Sequence, residues 1–174
     1  VKIIICFFKK SKGFDIYECK GKHIAVINLI GRTTMPILSE NPFTVAKEII
    51  EEIKHAVDII VIDFHAEATA EKIALSYYLD GEATVIYGTH THVQTNDARI
   101  LKNGTMYMTD LGMTGSLDGV IGVEPNGIIK KFLTGMPVRH NPMETGSKQF
   151  CGLVVEINDK THKVTSYDII NMVE

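Results

Sequence analysis

Apolar residues along the chain first keep a β rhythm. The runs VKIIICFF, FDIYEC and KHIAVINL predict three strands, the last two joined as a hairpin through a KGK turn. Near residue 43 the period changes. In NPFTVAKEIIEEIKHA, Val45, Ile49, Ile50 and Ile53 recur at helical spacing behind Pro42, with acids and lysines on the other face. That spacing predicts an amphipathic helix laid on a sheet. DIIVIDF follows as a continuous apolar run, which a strand covered on both faces requires. A second helix over TAEKIALSYYLDG and a second buried strand over ATVIYGT complete a β-α-β-α-β alternation.

Beyond residue 100 the pattern turns β-rich again. TMYMTD predicts a strand, LGMTGSLDGVIG a glycine-rich loop, and GIIKKFL a short helix. FCGLVVEI and KVTSYDII, joined by NDKTHK, predict a hairpin closing an edge. No repeat or linker divides the chain. It reads as one α/β unit with a mixed sheet or a pair of packed sheets.

Composition narrows the function classes. With 174 residues, 45% apolar and 22% charged, the chain can bury a core of ordinary globular kind. A net charge of -3 argues against a bulk nucleic-acid surface and leaves a small nucleotide in a pocket open. No run reaches the roughly 20 apolar residues of a membrane span. VKIIICFFKK lacks the length and the small-residue cleavage site of a signal sequence. Cys6, Cys19 and Cys151 are odd in number and sit in apolar runs, so they read as buried thiols of a reducing compartment. A cytoplasmic protein is expected.

The chemistry-bearing residues are marked by position. His65 follows DIIVIDF, and His90 and His92 follow ATVIYG, so all three stand at the carboxyl ends of successive strands, where α/β sheets gather their ligands. Imidazoles converging there suit Zn, Mn or Fe. If residues 90–92 are extended, the two Cα atoms lie about 6 to 7 Å apart with both rings on one side. Such a pair could serve one ion or two neighbouring ions about 3.5 to 4 Å apart. Asp63 and Glu67 are the acids beside His65. Strand alternation puts Asp63 on the same side as His65, where it either orients an imidazole by a hydrogen bond or ends the strand as a solvated carboxylate. His23, His55, His140 and His162 read as ordinary surface histidines. The glycine-rich loop is open to two readings, a backbone phosphate cradle or a plain mobile loop.

Together DFHAEATAEK, LDGEATVIYGTHTHVQTNDARIL, YMTDLGMTG and FLTGMPVR closely resemble the YmdB-like branch of the calcineurin-type metallophosphoesterases, from about Gly13 to the C-terminus. The resemblance implies an α/β fold, a β-sandwich flanked by helices. It also implies a centre of two divalent metal ions (Fe, Mn or Zn) that hydrolyses phosphodiesters such as 2',3'-cyclic nucleotides. By motif, His65 and His90 would bind one metal and His92 the other. The family's further Asp-bearing, Gly-Glu-Asn and Gly-Asn-His motifs, which supply the remaining ligands and the catalytic histidine, do not occur in this sequence.

The expectation is therefore a partial metallophosphoesterase fold lacking the N-terminal strands. Residues 1–12 form an atypical start and 13–174 the C-terminal part of the domain. No catalytic residue is assigned, and at most one ion is expected for this chain alone. The partners expected are a small nucleotide or phosphodiester, no membrane, and a possible second copy of the chain. Two functions stand: a metal-dependent phosphodiesterase, or a catalytically silent remnant binding one metal weakly or not at all.

Overall fold

The computed structural model describes residues 2–5, 13–36 and 38–174, the first four of these as backbone. Cys6 lies outside the described residues. The first half of the chain builds a six-stranded sheet. Its strands are β2 (Phe14–Cys19), β3 (Lys22–Ile30), β4 (Ile59–His65), β5 (Val85–Thr89), β6 (Arg99–Ile100) and β7 (Met106–Met108). They lie in the order β2-β3-β4-β5-β7-β6. Strands β3, β4, β5 and β7 run parallel, while the hairpin partner β2 and the short β6 are antiparallel edges.

A second sheet is antiparallel. At its centre is β9 (Lys148–Ile157), flanked on one side by β10 (Val164–Val173) and on the other by β1 (Lys2–Ile5) and β8 (Gly115–Ser116). The sequence allowed a mixed sheet or two packed sheets, and the molecule has both. Helices α1 (Pro42–Ile53) and α2 (Thr69–Tyr78) follow β3 and β4, and α3 (Pro125–Thr134) precedes the C-terminal hairpin.

Alternation along the parallel strands explains the layering, because successive side chains face opposite sides. Ile60, Ile62 and Phe64 of β4 join Ala25, Ile27 and Leu29 of β3, Ala46, Ile50 and Ile53 of α1, and Leu75 of α2 in one buried cluster. Ile59 and Val61 face the other way, with Val85, Tyr87, Met106 and Met108, against Leu153 and Val155 of β9. The result is a β-sandwich with α1 and α2 on one flank.

Helix α3 has no buried residue, and Phe132 and Leu133 are each 81% exposed. Cys151 is buried as expected, whereas Cys19 is exposed, because β2 is an edge strand whose last four residues face solvent. Among the described residues no helix is long and apolar enough to cross a membrane.

Candidate functional site

His65 ends β4 and His90 follows the last residue of β5, so parallel pairing brings their strand ends together, with His65 opposite Thr89. By alternation Asp63 and His65 share the sandwich face of β4 with Val61, and Thr89 shares that face of β5 with Tyr87. Gly88 lets the strand settle there: a Cβ on it would stand 1.9 Å from the Thr109 carbonyl oxygen and 2.7 Å from Cδ of Lys72.

A chain of hydrogen bonds follows from this register. The Thr89 hydroxyl donates to Asp63 Oδ1 at 3.0 Å, and His65 Nδ1 lies 3.0 Å from the same oxygen of Thr89. A hydroxyl has one proton, and with that proton on the carboxylate, His65 must donate from Nδ1. Its lone pair is then on Nε2, 3.1 Å from Nδ1 of His90. On the far side of His90, Nε2 lies 2.9 Å from Glu67 Oε2, an acceptor, so that nitrogen donates. In two neutral rings the remaining lone pairs therefore face each other, the rings edge-on with centroids 4.9 Å apart.

Facing lone pairs repel until a cation lies between them. Burial, aided by the neighbouring His90, holds the His65 imidazole below its ordinary pKa and so disfavours a proton on that ring. A metal ion fits between the rings: two imidazole nitrogens 3.1 Å apart suit ligand bonds of about 2.0 to 2.1 Å to one ion. Asp63 supports this arrangement from behind. Burial pushes its carboxyl up to about 6 against the bonds from Thr89 and Asn28, which leaves it ionised at neutral pH. Its hold on His65 runs through the Thr89 hydroxyl, a relay that the spacing of Asp63 and His65 did not indicate.

His92 is placed differently. Residues 90–92 are not extended: His90 has φ 120° and His92 φ 64°. This turn carries the His92 ring toward the glycine-rich loop, where Nδ1 donates to the Ile121 carbonyl at 3.2 Å. Among the described residues no group of three or more His, Cys, Asp or Glu side chains is arranged to hold a metal ion. His65 and His90 thus offer two ligand positions, and His92 stands beside them in the same cleft.

The cleft measures about 440 Å³, within the range of small-molecule sites. His65, Thr89, His90 and His92 form its polar wall, and Leu111, Met113, Phe150 and Cys151 its apolar wall. Gln94 fastens the two walls together. Its Nε2 reaches the carbonyls of Leu111, Gly152 and Ile170 at 3.3, 3.4 and 3.0 Å, and its Oε1 accepts from Asn171 at 3.0 Å. A second hollow of about 240 Å³ lies at the amino ends of β4 and β5, lined by Asp58, Thr84 and His162 among others. There His162 Nε2 lies 3.5 Å from Asp58 and 3.3 Å from Lys22 Nζ. His162, an ordinary surface histidine by its sequence setting, is half-buried and partnered there.

Comparison with known proteins places this architecture. The YmdB-like protein family matches residues 8–170. The 2',3'-cyclic-nucleotide 2'-phosphodiesterase of Bacillus subtilis (strain 168) is 49% identical over 160 residues, covering 92% of this chain and 60% of that protein. Among solved structures, a protein from Thermus thermophilus superposes with a TM-score of 0.86 at 36% identity, covering 94% of this chain and 62% of its own. A phosphatase from Mycoplasma pneumoniae gives 0.85 at 37% identity, covering 92% and 57%. The chain spans about 60% of the length of the curated relatives it matches. It belongs to the YmdB-like protein family and is a homologue of the 2',3'-cyclic-nucleotide phosphodiesterase.

Proposed function

We propose that this chain carries the histidine half of a metal-dependent phosphodiesterase of the calcineurin-like superfamily, acting on 2',3'-cyclic nucleotides. The observation that carries this reading is the approach of His65 Nε2 and His90 Nδ1 to 3.1 Å, with acceptors behind both rings that take the other nitrogens' protons and leave these two free to bind. His65 and His90 would hold one divalent ion, and His92 takes part from the same cleft. A bound ion supplies a Lewis acid for the phosphoryl oxygens and lowers the pKa of a bound water. The chain's own residues do the rest. Thr89 and Asp63 hold His65 in the tautomer that leaves Nε2 free, and Glu67 does the same for Nδ1 of His90. Leu111, Met113 and Phe150 offer a nucleobase an apolar surface beside the histidines. Membership of the family and the name of the Bacillus subtilis relative support the substrate class.

One observation favours the silent-remnant reading, in which at most one ion is bound weakly. Among the described residues, two facing donors and no third make up the cluster. The test is calorimetric titration of the metal-free chain with Mn or Zn, alongside an assay on a 2',3'-cyclic nucleotide, each repeated on His90→Ala. Metal-dependent turnover lost in the variant supports the phosphodiesterase. Binding without turnover supports the remnant, and binding unaffected by the substitution removes the histidine pair from both readings.

A further inference from the structure

We infer that the buried ion pair Lys72–Asp110 is a positioning pair for His90, fixing the direction in which that imidazole points and thereby the cation affinity of the facing histidines. The inference rests on the reading of the site proposed above. Both side chains are 1% exposed, and the Lys72 Nζ to Asp110 Oδ2 distance is 3.1 Å. A pair so deeply buried is a poor device for stability alone, since desolvation offsets most of its attraction and apolar side chains would fill the space as well.

What distinguishes this pair is where its other bonds go. Lys72 Nζ donates to the Thr89 carbonyl at 2.9 Å, and Asp110 Oδ2 accepts the Thr91 N–H at 2.9 Å. Those are the peptide groups on either side of His90. The residue between them has φ 120°, a backbone state that an L side chain rarely adopts and that costs energy to hold. Two charge-assisted hydrogen bonds, one on each flank, oppose relaxation to an ordinary conformation. The remaining oxygen, Asp110 Oδ1, accepts the Gly112 N–H at 3.0 Å. The same carboxylate thereby holds Gly112, between Leu111 and Met113 of the opposite wall of the cleft. Helix α2 carries Lys72 under Gly88, where a side chain would collide with its stem.

The test compares the parent chain with Lys72→Met/Asp110→Asn, which removes both charges while keeping similar volumes, and reads ring and amide ¹⁵N resonances by NMR. Expected are shifted Thr91 and Gly112 amides and changed ring nitrogen signals for His90, with the distant His162 ring unmoved. Zn²⁺ affinity, titrated alone, should fall about 10- to 100-fold, as for other residues that orient metal ligands. Retention of the parent's His90 ring signals and Zn²⁺ affinity in a folded variant would overturn the inference. A second measurement needs no substitution: the Thr91 amide of the parent should be protected from hydrogen exchange, and exchange at the rate of an open loop would equally overturn it. If the parent binds no Zn²⁺, the metal reading of the site fails, while the ring signals and the Thr91 amide still decide the positioning role.

Discussion

Asp97 fastens the segment that leaves the histidines. Its Oδ1 accepts the Thr109 N–H at 3.0 Å and the Thr95 hydroxyl at 2.7 Å, and its Oδ2 accepts the Thr109 hydroxyl. Burial opposes the charge on this carboxyl, but those bonds and Arg99 outweigh it and hold the pKa below the ordinary range. The native state therefore binds its proton less readily than the unfolded chain does. The stabilisation is present above about pH 4 and disappears as pH falls through the lower native value. Asp97→Asn should cost about 1 to 2 kcal/mol at pH 7, toward the lower figure because the carboxyl is partly exposed, and less at a pH low enough to protonate the native carboxyl. Urea denaturation at both pH values measures this, and an equal loss at both would contradict it. At this scale the sequence disclosed only part of the site. His65 and His90 were legible because each stands directly after an apolar run. The outcome for His92 was not, since a positive φ at a histidine has no signature in residue type. Lys72 and Asp110 are 38 residues apart, and Lys72 reads as one more polar position on an amphipathic helix. Thr89 carries no mark in residue type, yet its single hydroxyl proton sets the tautomer of His65.

Among the elements, α1 was the plainest in the sequence, with Pro42 at its first turn and Ile50 and Ile53 on its buried face. Its start is fixed by Asn41, whose Oδ1 accepts the Phe43 N–H at 3.0 Å. Asn41→Ala should lower stability by about 1 kcal/mol without altering the cleft, a loss read from the thermal transition. A similar loss for Asn41→Asp, which keeps the acceptor, would show that the cap is not the cause. Strands β6 and β8 were illegible because two residues carry no period; pairing with β7 and β9 alone makes them strands. Helix α3 was found, but its apolar residues do not mark a buried face. Ile129, Phe132 and Leu133 all stand out from the surface, so apolar spacing located the helix without showing what it packs against. The last two strands were legible as a hairpin, whereas the central place of β9 was not, because β1 and β8 reach its other side from remote parts of the chain.

At the scale of the whole molecule the two sheets share one core, in which Leu153 is completely buried against residues of β4, β5 and β7. Leu153→Ala should destabilise the chain by about 2 to 5 kcal/mol through the cavity it leaves. It should do so without splitting the unfolding transition. Far-ultraviolet circular dichroism and tyrosine fluorescence should shift together, and separate midpoints would mean that the sheets unfold as independent units. The cross-tie at Gln94 has a consequence for how the molecule is born. During synthesis the helices and strands β2 to β5 emerge with their neighbours already at hand, but Gln94 waits for the carbonyls of Gly152 and Ile170, made 58 and 76 residues later. Contacts so remote in sequence close late, because the loop entropy must be overcome first. The cleft thus takes its full shape only once the closing hairpin has docked and brought Phe150 and Cys151 against the histidine wall.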